Sequence, residues 1–143
     1  MPFEELEDVT SADIALRIFG GTVGELFVSA GEALRAVMLG GAARRAEGME
    51  ISFELRAESI EMLLFSFLNE LLFHKDSSAL LVSPTVVDVD HGPGGASLRC
   101  AAVAERIEPA LHDFIVDIKA VTMHRFSVCY ENGAWTATVV FDV

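Results

Sequence analysis

Lysine is almost missing from this chain: Lys75 and Lys119 are the only two, and all basic residues together number 10 against 22 acidic ones. The formal charge of −12 repels phosphate backbones over the whole surface, so stable, direct nucleic-acid binding is disfavoured and a basic protein partner or a cation is favoured. Cysteine is equally scarce. Cys100 and Cys129 lie in strand-like apolar segments, without CxxC spacing or further ligands nearby, which argues against a disulfide framework or a zinc site and reads as two buried free thiols. Although 52% of the residues are hydrophobic, no uninterrupted run approaches the roughly 18 residues of a membrane span. A soluble, densely cored chain is expected. The opening MPFEELEDVT is acidic, whereas a secretory signal is basic and then apolar, so the expected location is cytoplasmic.

Motifs for covalent chemistry are absent too. There is no nucleophile elbow, no G-x-x-x-x-G-K-S/T phosphate loop, no H-E-x-x-H and no Rossmann glycine pattern. The glycine-rich HGPGG at 91–95 opens no helix and reads as a hairpin turn between strands at 79–89 and 96–105. The four histidines have no metal-ligand spacing. His124 reads as a core imidazole, His91 as a turn residue, and His74 and His112 as exposed side chains.

What is present is a strong alternation of patterns within 143 residues, the size of one domain spanning 1–143. Residues 12–19, ADIALRIF, put Ile14, Leu16 and Ile18 on one face of a strand that begins at Asp13. Gly20 and Gly21 break it. Thr22 and Glu25 have the spacing of a capping box, predicting a helix from about Val23 to Met38 whose apolar residues recur every three to four positions. A strand at about Met49–Arg56 and a second helix, N-capped by Ser59 and with a wide apolar face from Ile60 to Leu72, complete the first half. The fold class expected is α+β, an antiparallel or mixed sheet with two helices packed on one side.

The last two strands can be registered directly. Asn132-Gly133 is a type I′ hairpin signal that pairs residues whose numbers sum to about 265, so Tyr130 meets Trp135, Val128 meets Ala137, Phe126 meets Val139 and His124 meets Phe141. On the opposite face Cys129 meets Thr136, Ser127 meets Thr138, Arg125 meets Val140 and Met123 meets Asp142. Asp142 is thereby placed at the open end of the hairpin, the end that also carries Lys119. Asp13, Asp142 and the carboxylate of Val143 are the acids to consider together. Gathered in one place they would repel, and a hard cation with oxygen ligands would relieve that repulsion. Alternatively, Asp13 and Asp142 are solvated strand-end acids that never meet. Lys119 would be their internal counter-ion or a plain surface lysine.

The same stretches form a pattern that resembles the archease family over nearly the whole chain. FEELEDVTSADIALRIFGGTVGELF stands where archeases have H-T-A-D-I followed by a strand and a helix; LNELLF at 68–73 resembles the family's second helix. IKAVTMH at 118–124 is similar to K-A-V-T-Y-H, and WTATVVFDV ends on Asp and one aliphatic residue, as archeases do. The resemblance implies an accessory protein, not an enzyme, that helps an RtcB-type tRNA-splicing RNA ligase to become guanylylated, to turn over repeatedly and to accept more nucleotide triphosphates. It implies a metal site at Asp13, Asp142 and Val143, calcium first with magnesium or manganese as alternatives, and a ligase-activating role for Lys119 and Asp13. Two positions depart from the family: Thr10 replaces the His of the first motif and Met123 the Tyr of the third. Two other functions compete, a chaperone-like protein-binding module and a metal-dependent phosphohydrolase.

Overall fold

The computed structural model describes residues 2–6, 13–40, 48–110 and 112–143. In chain order the elements are β1 (Phe3–Leu6), β2 (Asp13–Gly20), α1 (Val23–Leu39), β3 (Met49–Ala57), α2 (Ile60–Ser78), β4 (Leu80–Gly92), β5 (Gly95–Arg106), β6 (Ala120–Glu131) and β7 (Ala134–Asp142). The α+β class expected from the sequence is the class observed. The strands divide into two antiparallel sheets, β1-β2-β7-β6 and β3-β5-β4, and each helix packs on strands of both.

Local chemistry explains where the helices begin. At α1 the Thr22 hydroxyl accepts from the Glu25 amide at 3.1 Å, and the Glu25 carboxylate accepts from the amides of Thr22 and Gly21 at 3.3 and 3.0 Å. The anticipated capping box is therefore complete. At α2 the Ser59 hydroxyl accepts from the Met62 amide at 3.2 Å. Between the sheets, Leu26, Phe27, Ala30 and Leu34 of α1 meet Leu63, Leu64, Phe67 and Leu68 of α2, all essentially without solvent exposure. The rings of Phe27 and Phe67 lie 5.3 Å apart. Each such large side chain contributes about 1.5–3 kcal/mol by leaving water, which holds two sheets and two helices on one core.

Five features differ from the sequence expectation. First, FEEL at Phe3–Leu6 is a strand: it pairs antiparallel with β2, Phe3 opposite Ile18 and Leu6 opposite Ala15. Four residues rich in glutamate give no periodicity of their own, and the order comes from pairing onto β2. Second, His91 is the penultimate residue of β4 rather than a turn residue, the turn being confined to Pro93 and Gly94. The other three concern β6 and the segment that precedes it.

The β6–β7 register follows the predicted one from Glu131–Ala134 through Ser127–Thr138, and then shifts. Beyond the shift Thr122 pairs with Val140, Val121 with Phe141 and Ala120 with Asp142, so Phe126–Val139, Arg125–Val140, His124–Phe141 and Met123–Asp142 are not partners. A bulge containing Arg125 at φ +56° absorbs the extra residues. Its cause is visible in what reaches the core: Val121 is buried opposite Phe141, and His124 is exposed. Seating a valine there leaves no imidazole to desolvate. Cys129, paired with Thr136 on the outer side of the sheet, is exposed and not buried. His112, in turn, is not exposed: only 3% of it is accessible.

Candidate functional site

β2 starts at Asp13 and β7 ends at Asp142, and the antiparallel register between them sets these two acids directly opposite one another. Because Ile14, Leu16 and Ile18 occupy the inner face with Phe141, Val139 and Ala137 as partners, Asp13 and Asp142 share the outer one. Directly opposed residues in such a ladder have Cβ atoms about 4.5–5.5 Å apart. Two carboxylates at about 5 Å repel by about 1 kcal/mol in water-like surroundings and about 3 kcal/mol at an effective dielectric of 20.

The third strand arrives from the other side of β7. The Lys119 amide donates to the Asp142 carbonyl at 2.8 Å, and Ala120 pairs with Asp142. Lys119 and Asp142 are exposed and Asp13 is half-buried. Val143 is half-buried and packs against the core, so the backbone leaving Asp142 is anchored by an apolar contact. Residues from both ends of the sequence and from the 118–124 motif thus gather at one end of the four-stranded sheet. Met123, expected to face Asp142, is carried off by the bulge and is 53% exposed. Thr10 lies outside the described residues.

Asp13 and Asp142 offer carboxylate oxygens at this sheet end, the donor type a hard cation takes. Among the described residues no group of three or more His, Cys, Asp and Glu side chains could hold a metal ion. Among the described residues, the acidic side chains that the β2–β7 register places here are Asp13 and Asp142.

Sequence reading missed a buried polar cluster close by in the chain. Glu105, 1% exposed, receives Arg35 Nη1 on Oε1 at 2.6 Å and lies with Oε2 3.1 Å from His112 Nε2. His112 Nδ1 accepts from the Glu108 amide at 2.9 Å. With Nδ1 accepting, Nε2 carries the proton and donates to Glu105. Further along, Lys75 is buried with Nζ 2.6 Å from Asp76 and 3.1 Å from Asp117. Burial acts to lower the Lys75 pKa, but hydrogen bonds and charges from both aspartates outweigh it and hold the group above the ordinary lysine range. The one signal was Glu105 itself, an acid closing the small apolar run CAAVAE. No helix among the described residues is long and apolar enough to cross a membrane.

Comparison with known proteins bears on the whole chain. Residues 3–143 match the Archease protein family (MTH1598/TM1083). A protein archease of Pyrococcus furiosus is 33% identical over 135 residues, covering 93% of this chain and 94% of the relative; one of Methanopyrus kandleri is 32% identical over 143 residues and covers 100% of both. The solution structure of Methanobacterium thermoautotrophicum protein 1598 superposes with a TM-score of 0.81 at 30% identity over 99% of each chain. The crystal structure of a Thermotoga maritima archease, called a possible chaperone, has the same fold at a TM-score of 0.56 and 19% identity, over 94% of this chain and 93% of that one.

Proposed function

The chain belongs to the archease family, and on that premise we propose that it is an accessory protein of an RtcB-type tRNA-splicing RNA ligase. In this reading it promotes guanylylation and repeated turnover of the ligase and broadens the nucleotides the ligase accepts. The observation that carries the reading is the register that puts Asp13 opposite Asp142 with the Lys119 amide on the Asp142 carbonyl. Residues of three separate motifs meet there.

Asp13, Asp142 and the Val143 carboxylate would hold a divalent cation, calcium first and magnesium or manganese next. Once bound, the cation supplies a fixed positive charge for phosphate oxygens or ligase carboxylates. Asp13 and Asp142, at the starts and ends of paired strands, keep two donors at a constant separation. Lys119 adds a compact point charge at the same sheet end, a form that suits phosphate. The help is positional and electrostatic: it aligns groups on the ligase and contributes no covalent step. A formal charge of −12 favours approach to a basic ligase surface and keeps the accessory off RNA.

The test is guanylylation of the ligase with and without this protein. Wild type should stimulate, and Asp13→Ala, Asp142→Ala and Lys119→Ala should each lower that stimulation roughly tenfold or more, equivalent to about 1.4 kcal/mol. A chain extended by two residues after Val143 should lose activity as well. No stimulation by wild type sinks the proposal, and full stimulation by the extended chain removes the Val143 carboxylate from it. The chaperone reading, favoured by exposed apolar side chains such as Phe73 and Ile115 at 60% and 65%, predicts instead that aggregation of unrelated proteins is suppressed without metal.

A further inference from the structure

Between β5 and β6 the described residues of 107–119 form neither helix nor strand, and the stretch ends on Lys119. No ladder of a sheet fixes this stretch. It is fixed by separate contacts: the amides of Ile115 and Val116 donate to the Met38 carbonyl at the end of α1, at 2.8 and 3.4 Å, and Ile118 is a fully buried apolar plug. Two polar clamps add to these. One is His112 on Glu105, itself bound by Arg35 of α1; the other is Asp117 on Lys75 of α2.

We infer that these clamps are positioning groups for Lys119, an inference that rests on Lys119 acting at the carboxylate end of the sheet. The energetics point beyond plain stability. Burying Glu105 to 1% exposure is destabilising unless it is fully partnered, and a well-packed apolar group of similar volume often stabilises as well or better. What the polar arrangement adds is uniqueness. Each Glu105 oxygen has its own donor, and both His112 ring nitrogens are engaged, so the imidazole has one orientation and the chain at 112 one position. Asp117 adds a single, more exposed tether two residues before Lys119, its Oδ1 accepting from the buried Lys75 Nζ at 3.1 Å, and a one-residue slip there would carry the Lys119 amide off the Asp142 carbonyl, 2.8 Å away. The site's lysine is therefore held from α1, α2 and β5 as well as from β7.

Asp117→Asn is the informative variant, because the Asp117 side chain is 74% exposed and the change keeps its shape. Hydrogen exchange followed by NMR should show the Lys119 amide exchanging roughly tenfold faster in the variant, with the Leu98 amide of β5 within about twofold of wild type. Unchanged exchange at Lys119, or equal acceleration at Leu98, overturns the inference. Guanylylation adds a readout that a purely structural role would not move: Asp117→Asn should reduce stimulation in the wild-type background and add nothing to Lys119→Ala. Additive losses overturn the positioning role. If wild type does not stimulate at all, the accessory function fails, and the exchange experiment still decides whether Asp117 orders Lys119. Glu105→Gln, scored in the same way, tests the deeper clamp.

Discussion

Single side chains show how far a face assignment reaches. Cys100 and Cys129 sit in similar apolar stretches, yet Cys100 points into the core at 1% exposure and Cys129 into solvent opposite Thr136. Burial pushes the Cys100 thiol up to about 11. The thiolate is the reactive species, so Cys100 is protected both by access and by ionisation. Native protein treated with iodoacetamide at pH 8 should be alkylated once, at Cys129, with the second site appearing only on denaturation; mass spectrometry of peptides reads this. Equal labelling of both in the native state would contradict the packing. Here the pairing with Thr136 was legible in the Asn132-Gly133 turn, and the exposure was not, because it depends on which face the remainder of the chain covers. His112 failed in the opposite direction. Its burial is set by Glu105 and Glu108, and nothing in the spacing of an isolated histidine reveals such partners.

At the scale of elements, devices closed within a few residues were the readable ones. The capping box at Thr22, the N-cap at Ser59 and both hairpin turns hold because their partners lie within four positions. The β6 bulge and strand β1 depend on distant partners, Phe141 and β2, and carry no local signature. Packing between elements also reverses an ordinary propensity. Glycine inside a helix usually costs about 0.5–1 kcal/mol relative to alanine. In α1, however, a Cβ on Gly24 would overlap the Val87 carbonyl oxygen of β4, a backbone atom that cannot swing aside. Gly24→Ala should therefore destabilise by about 1–3 kcal/mol, measured by urea unfolding with the slope unchanged. A gain in stability would mean that α1 does not approach β4 this closely.

For the molecule as a whole, the decisive fact is that the acid pair is assembled from opposite ends of the chain. Asp13 and Asp142 are neighbours only because β2 and β7 pair, so physics applied to the sequence left open whether they meet, and family resemblance alone joined them. Their meeting in a chain of charge −12 makes cation binding a question of stability as well as activity. A cation that binds the folded chain and not the unfolded one stabilises it by mass action, about 2.7 kcal/mol when the free ion is 100 times its dissociation constant. For a domain of this size that raises the melting temperature by roughly 10 °C. General screening of the acidic surface also stabilises, so the comparison must be made at matched ionic strength. Calcium should raise the melting temperature well above sodium chloride of equal ionic strength, with magnesium and manganese ranked beside it. Asp142→Asn should reduce calcium to the effect of the matched salt, because it leaves Asp13 as the lone side-chain donor of the pair. If calcium and the matched salt act alike on wild type, the paired aspartates hold no specific ion, and the site must work through Lys119 and a bare carboxylate surface.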